Sequence, residues 1–372
     1  MLSAFNIKSN EIIPVCVMAT MSSGKSTFLN AILGDEILPE KNEACTARAL
    51  FVLNMPKAGE ARAYIRKNDG KKHAVDISYS DTVTKINSDE NVTDVLIVKE
   101  IPSLVNSRKT IVLVDTPGVN NSGDIRHAER TEEILDQLKK GIIVYLLNAT
   151  QLATNDDELL LQMVLEHVKR NNDVKILFVL NKIDMLDEDK ESIPDTINNA
   201  SIYIQDHGLK EFGIFPLSAL SAKTFRMKLN GKLLTKAEER HMNQSYPEYR
   251  DNSKGMLQYV KSYNQIGKQY TINDEVVSEY ELRRAIENTG IVEIERAIEK
   301  IIQQLEYRPI ENADALNEYS ELEGVYSRKR KTRNFENYTG DILWICKNCK
   351  QVNGQNQVCL HCKSPNFRWF KR

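Results

Sequence analysis

The stretch "VCVMATMSSGKSTFLNAILG", residues 15–34, constrains this chain more than any other. A continuous apolar run breaks at Ser22, Ser23, Gly24, Lys25, Ser26 and Thr27, then resumes with apolar residues at helical spacing. The segment therefore reads as a buried strand, a tight loop and a helix. Such a junction aims several backbone N–H groups and a helix N-terminus at one spot, where an anion is favoured. On this pattern Ser23, Gly24, Lys25, Ser26 and Thr27 form a phosphate-binding loop, in which Lys25 reaches the β- and γ-phosphates and the Ser26 hydroxyl binds Mg²⁺. Ala19 stands where such loops begin with glycine; this asks only that the turn keep a negative φ, a mild demand.

From about residue 11 to 222, β-branched runs alternate with amphipathic helical patterns. "IIPVCVMA", "ALFVLNM", "ARAYIRK", "DVLIVKEI", "TIVLVDT", "GIIVYLLN", "VKILFVLN" and "GIFPLSA" are the strands, and "DELLLQMVLEHVKR" is one of the helices. Nearly continuous apolar strands separated by helices predict an α/β fold with a mostly parallel sheet covered on both faces. Ligands then lie at the carboxyl ends of the strands. Residues 223–285 are polar and weakly periodic, and read as a helical and loop insert. In "ELRRAIENTGIVEIERAIEKIIQQL" Gly290 separates two helices, and Ile291, Ile294, Ala297, Ile301 and Leu305 mark one face of the second.

Three further motifs follow the loop in order. In "TIVLVDTPG", Asp115 ends a strand and Gly118 follows by three, so the carboxylate can enter the Mg²⁺ shell while the glycine amide meets the γ-phosphate. "FVLNKID" selects the base. Asp184 can accept from N1 and N2 of guanine, donors that adenine lacks in that arrangement; Asn181 can serve N7 and brace the phosphate loop, and the Lys182 stem can cover the ring. The wrong base would leave a desolvated carboxylate unpaired. "FPLSALSAK" allows two registers, Ser218-Ala219 or Ser221-Ala222-Lys223, for a backbone N–H facing guanine O6. The four motifs together imply an enzyme that hydrolyses GTP to GDP and phosphate.

"MSSGKSTFLNAILGDEILP", followed by a threonine seven residues after Pro39 in "LPEKNEACTARALFVLNM", resembles the G domain of the dynamin superfamily. The 69-residue step from Thr46 to Asp115 fits the extra strands and helix that such domains insert there. The resemblance covers roughly residues 12–305, with no region of stalk length behind it. It implies that Thr46 is the switch residue completing the Mg²⁺ shell and that Ser22 holds a monovalent cation, K⁺ or Na⁺, in place of an arginine finger. It also implies that two copies meet nucleotide face to nucleotide face and so accelerate hydrolysis. The expected catalytic set is Lys25, Ser22, Thr46 and Gly118. Neither Met21 nor Val119 can orient water as a glutamine would. The alternative is an RNA- or ribosome-associated GTPase of the Era-like kind, since the "TGIVEIERAIEKII" helix is shared with that group.

Near the end, "WICKNCKQVNGQNQVCLHC" spaces Cys346, Cys349, Cys359 and Cys362 as two C-x-x-C pairs, the pattern of four thiolates on one Zn²⁺ in a reducing compartment. Trp344 and Asn353 make it similar to the zinc finger of the Ran-binding-protein type, which implies single-stranded RNA or ubiquitin as ligand. Cys16 and Cys45 read as packed or loop residues. The chain's net charge of −2 hides an asymmetry: residues 328–372 hold eleven Lys or Arg against two acids, leaving −11 on the rest. The run Arg328–Arg333, with Phe335, Tyr338, Trp344, Phe367, Trp369 and Phe370 nearby, could track nucleic-acid phosphates while rings stack on bases. It could equally rest on anionic lipid, contact a protein, or be a solvated linker beside a structural knob. The expected layout is a GTPase domain at 1–305, a basic linker at 306–340 and a zinc ribbon at 341–372. No apolar run reaches the roughly 20 residues of a transmembrane helix, and no targeting segment is visible, so a cytoplasmic protein is expected.

Overall fold

The apolar runs become the strands of one large sheet in a computed structural model of the chain. It describes residues 2–8, 11–40, 48–55, 58, 60–77, 81–104, 109–117, 125–187, 189–210, 212–250, 269–273, 275–305, 320–321, 343–346, 352–353 and 367–370. In chain order the elements begin with β1 (Ile13–Met18), α1 (Lys25–Leu33), β2 (Leu50–Asn54), β3 (Arg62–Lys67), β4 (Lys72–Asp76), α2 (Thr82–Ser88), β5 (Val92–Lys99) and β6 (Ile111–Asp115). Next come α3 (Ile125–Gln137), β7 (Gly141–Asn148), α4 (Asn155–Arg170), β8 (Val174–Asn181), α5 (Ile193–Asp206) and β9 (Ile214–Leu217). Then follow α6 (Ala219–Leu229), α7 (Lys236–Arg250), β10 (Gln269–Ile272), β11 (Glu275–Ser278), α8 (Glu279–Asn288), α9 (Ile291–Gln304) and β12 (Ser320–Glu321). Contacts divide the chain into two compact units, Met1–Ser327 and Arg328–Arg372.

In the first unit ten strands pair in the order β12-β4-β3-β5-β2-β6-β1-β7-β8-β9. The run β6-β1-β7-β8-β9 is parallel throughout, as are β2 with β5 and β12 with β4. Antiparallel pairing joins β2 to β6 and β3 to both β4 and β5. The mostly parallel α/β sheet expected from the sequence is thus present, with an antiparallel extension on one side. Every residue of β1, β6 and β7 is buried, which is why these strands read as unbroken apolar runs. Successive side chains still alternate. Ile13, Val15 and Val17 enter one core with α1, α6, α8 and α9, while Cys16 and Met18 enter the other with α3, α4 and α5. Burial pushes the Cys16 thiol up to about 12, in keeping with a packed residue.

β4 ("KHAVD") and α2 ("TVTKINS") were not distinct in the sequence, because their short polar runs carry little periodicity. The polar segment 223–285 contains the rest of α6, then α7, β10, β11 and most of α8. α7 opens with a reciprocal cap: the Thr235 N–H donates to Glu238 Oε2 (2.7 Å) and the Glu238 N–H to Thr235 Oγ1 (3.3 Å). Pro247 lies inside α7. Having no N–H, it leaves the Asn243 carbonyl without its helical donor, and Asn273 Nδ2 supplies one at 2.7 Å. The helix is held on α6 by edge-to-face contacts of Phe225 with Tyr246 and Tyr249, each at 5.9 Å between centroids.

The buried face of α9 shares Ile291, Ile294 and Leu305 with the one read from spacing and departs from it at the other positions. Ile291, Ile294, Ile298 and Ile302 are fully buried, whereas Ala297 and Ile301 are only partly so. The stripe advances by three or four residues at each step, and the reading skipped Ile298 and Ile302 because the whole helix is rich in isoleucine. Among the described residues no helix is long and apolar enough to cross a membrane. The second unit has a three-stranded antiparallel sheet, β14-β13-β15, formed by β13 (Leu343–Cys346), β14 (Val352–Asn353) and β15 (Phe367–Phe370). Its register sets Trp344 opposite both Asn353 and Trp369. Cys349, Cys359, Cys362 and the run Arg328–Arg333 lie outside the described residues.

Gly290 joins α8 to α9 at φ 91°, and a Cβ there would stand 2.2 Å from the Pro216 carbonyl oxygen in β9. Gly290→Ala therefore meets both backbone strain and a collision with a strand that cannot move aside. It is expected to cost about 2 kcal/mol or more, read as a lower urea midpoint at unchanged m-value.

Candidate functional site

The carboxyl ends of β1, β6 and β8 meet at one edge of the sheet. Parallel register sets Val17 beside Asp115 and Asn148 beside Asn181. After β1 the chain must turn sharply to start α1. The left-handed backbone this requires falls at Ser22 (φ 61°) and Gly24 (φ 89°), and not at Ala19. Gly24 caps α1, and a Cβ on it would stand 2.5 Å from Asn181 Nδ2. This glycine is thus demanded twice, by its dihedral and by its neighbour. Met21 turns its side chain to solvent and Ser23 is buried.

At the phosphate side, Lys25 Nζ lies 2.8 Å from Asp115 Oδ1, and Ser26 Oγ donates to Asp115 Oδ2 at 2.9 Å. The carboxylate is 8% exposed, on the last residue of β6, while Thr116 Oγ1 donates to the Val17 carbonyl (2.7 Å) and ties the two strand ends together. An ammonium, a hydroxyl and a carboxylate thus converge within hydrogen-bond reach. A hydroxyl and a carboxylate oxygen side by side are hard donors of the kind Mg²⁺ takes, and a lysine beside them suits phosphate. Ser26 and Asp115 fit the metal chemically. Thr46 and Gly118, the other two residues expected near the γ-phosphate, lie outside the described residues.

The side facing β8 and α6 is organised by Asn181, which is 2% exposed. Its Nδ2 donates to the Ser23 carbonyl (2.8 Å), and its Oδ1 accepts from the Ala219 N–H (3.0 Å). The bracing expected of Asn181 is therefore made with both ends of one amide. Lys182 follows at φ 66°, and Asp184 sits half-buried in the short 3₁₀ turn Ile183–Met185. Ser218 is the N-cap of α6, its Oγ accepting from the Ser221 N–H. Of the two registers read in "FPLSALSAK", the second is committed elsewhere: the Ala222 N–H bonds the Ser218 carbonyl within α6 at 3.0 Å. The Ala219 N–H, expected to face guanine O6, donates to Asn181 in this geometry.

Lys223 has a different task from either register. It is 2% exposed and bridges Glu40 (2.9 Å) and Glu238 (2.7 Å). Glu40 also accepts from Asn30 Nδ2 (2.7 Å) and Thr27 Oγ1 (3.1 Å), so α1, α6, α7 and the segment leading toward Thr46 share one polar cluster. The sequence reading missed Glu40, Glu238 and Asn30. The available signal was the capping pattern Thr235-Lys236-Ala237-Glu238. Among the described residues no cluster of His, Cys, Asp and Glu could hold a metal by itself; Cys346 ends β13, and the other three zinc candidates lie outside those residues.

Burial works against the Lys223 ammonium, but Glu40 and Glu238 outweigh it and its pKa rises. The Glu238 carboxyl is correspondingly held below the usual range, where Lys223 overrides its own burial. Lys223→Met strands two carboxylates and is expected to cost about 3 kcal/mol at neutral pH. A depressed acid contributes stability above its unfolded pKa and loses it as pH falls through the folded one. The gap between wild type and variant in urea midpoint is thus expected to narrow below the ordinary glutamate range.

Residues 15–183 match the family model described as the Dynamin family. A bacterial dynamin-like protein from Nostoc punctiforme is 26% identical over 242 residues, which cover 57% of this chain and 33% of that protein. The chain thus spans about a third of the length of that relative. Among solved structures, a bacterial dynamin from an oligomerised pair described as sensing and tethering membranes is 18% identical, with a TM-score of 0.43 over 81% of this chain and 43% of its own. Era from Aquifex aeolicus, bound to GDP and AlF₄⁻, is 19% identical with a TM-score of 0.33, over 56% of this chain and 52% of its own. The similarity to the Dynamin family thus lies in residues 15–183, the part of the chain that contains β1 through β8.

Proposed function

We propose that this protein binds GTP with Mg²⁺ at the carboxyl edge of β1, β6 and β8 and hydrolyses it to GDP and phosphate. The observation that carries the reading is the pair of hydrogen bonds by which Asn181 donates to the Ser23 carbonyl and accepts from the Ala219 N–H, joining the loop after β1 to the loop after β9. Backbone amides of Ser23 to Thr27 and the Lys25 ammonium bind the phosphates, and Asp184 accepts from guanine N1 and N2 while the Lys182 stem covers the ring. Ser26, Asp115 and Thr46 would hold Mg²⁺, which supplies charge neutralisation at the phosphates. The protein's own contribution is alignment of the γ-phosphate by Lys25 and the Gly118 amide, with Ser22 taking a K⁺ or Na⁺ ion. A dimer formed through the nucleotide face raises the rate. The four cysteines Cys346, Cys349, Cys359 and Cys362 bind one Zn²⁺ in a separate module at 341–372, behind the basic linker; their spacing supports this.

Phosphate release from GTP tests the reading. Lys25→Ala is expected to lower the rate by about 100-fold or more, and Asp184→Ala to abolish competition by GDP while ATP never competes. A specific activity that rises with protein concentration supports the dimer, and a flat one contradicts it. Elemental analysis of the purified chain is expected to find one zinc, lost in a Cys346→Ser, Cys349→Ser double variant; a zinc content unchanged by those substitutions refutes the module.

A further inference from the structure

α7 carries a residue that the four motifs do not include. His241 is half-buried, and its Nε2 lies 3.0 Å from Ser221 Oγ. Ser221 Oγ accepts from Ser218 Oγ at 2.9 Å, and Ser218 Oγ accepts in turn from the Ser221 N–H at 3.4 Å. Ser218 precedes Ala219, whose N–H is the one held by Asn181. A chain of hydrogen bonds therefore runs from α7 through the first turn of α6 to the base loop. Both serines are fully buried, so no water can replace a missing partner there.

Building on the guanine-nucleotide reading above, we propose that His241 is a positioning residue for the base: by accepting from Ser221 it fixes the Ser218–Ala219 turn that stands beside Asp184. With Ser218 as the donor to Ser221, the chain is completed by an acceptor, which the neutral His241 tautomer carrying its proton on Nδ1 provides. Ser218 donates to Ser221, so Ser221 has its own hydrogen left to give, and a neutral imidazole takes it on Nε2. A protonated imidazole would donate instead and reverse both hydroxyl bonds. Ser218 Oγ would then receive two donors, and its own proton would have to turn toward the buried Tyr249 hydroxyl that faces both serines. The neutral form is the favoured one. Burial lowers the imidazole pKa, with Lys223 of α6 acting in the same direction and Asp184 and Glu248 opposing. Its stabilising effect is present above the unfolded imidazole value and is lost as pH falls below it.

The test is binding of a fluorescent N-methylanthraniloyl GDP to the full chain, with wild type, His241→Leu, His241→Gln and Asp184→Ala compared from pH 8 to 5.5. Glutamine keeps a polar group at the reach of Nε2 and does not titrate. His241→Leu is expected to raise Kd by about tenfold with kcat at saturating GTP unchanged, and His241→Gln to restore binding to within about twofold. Wild-type affinity is expected to fall through the lower half of the pH range, and that of His241→Gln to stay flat over it. Asp184→Ala losing affinity while His241→Leu binds like wild type overturns the proposal alone. So does a His241→Gln variant that is as weak as His241→Leu or keeps the wild-type pH profile. If Asp184→Ala and wild type bind alike, the guanine reading fails and the proposal falls with it.

Discussion

The site depends first on one buried side chain. Asn181 has an amide with a donor on one side and an acceptor on the other, and it uses both to fasten Ser23 and Ala219. These two loops lie far apart in the sequence. An intramolecular hydrogen bond is worth only about 1 kcal/mol net, but leaving a buried carbonyl and a buried N–H unsatisfied costs about 1–3 kcal/mol each. The arrangement is therefore held by what its loss would expose. Gly24 allows it, since any Cβ at that residue would occupy the place of Asn181 Nδ2.

Around this brace the charged groups are arranged in layers. Lys25 and Asp115 pair at the sheet edge, and Lys223 with Glu40 and Glu238 forms a second set between α1, α6 and α7. Buried ions are stable only when each finds a partner and its remaining hydrogen-bonding capacity is met. Glu40 meets that condition with three donors, Lys223, Asn30 and Thr27. Thr27 belongs to the first turn of α1, and Glu40 lies six residues before Thr46 in the sequence. The same pairs that stabilise the packing of α6 and α7 thus also fix where the chain leaves the phosphate loop.

Much of the sheet was legible in the sequence because burial on both faces forces unbroken apolar runs, and β1, β6, β7 and β8 are such runs. The strand–loop–helix around Ser22 to Thr27 and the placing of Asp115 and Asn181 at strand ends were legible, because an apolar run that stops at a polar residue marks where a strand ends. The choice between Ser218-Ala219 and Ser221-Ala222 was not legible. It turns on where α6 begins, and in this geometry both backbone N–H groups are bonded within the protein, Ala219 to Asn181 and Ala222 to Ser218. Lys223 was invisible as a buried ion, since its partners lie 183 and 15 residues away and no local pattern announces them. The isoleucine-rich α9 hid its own face, as neighbouring apolar residues are equivalent until packing selects among them.

The most direct test of the guanine-specific site compares the affinities of the Mg²⁺-bound chain for GDP, IDP and ADP. Inosine lacks only the 2-amino group, one of the two donors assigned to the Asp184 carboxylate. Losing a hydrogen bond to a charged acceptor costs about 1.5–3 kcal/mol, or about 10- to 150-fold. The expected order is GDP tightest, IDP weaker by that factor and ADP weakest of all. Equal affinity for GDP and ADP would contradict the assignment of Asp184 as the reader of the base.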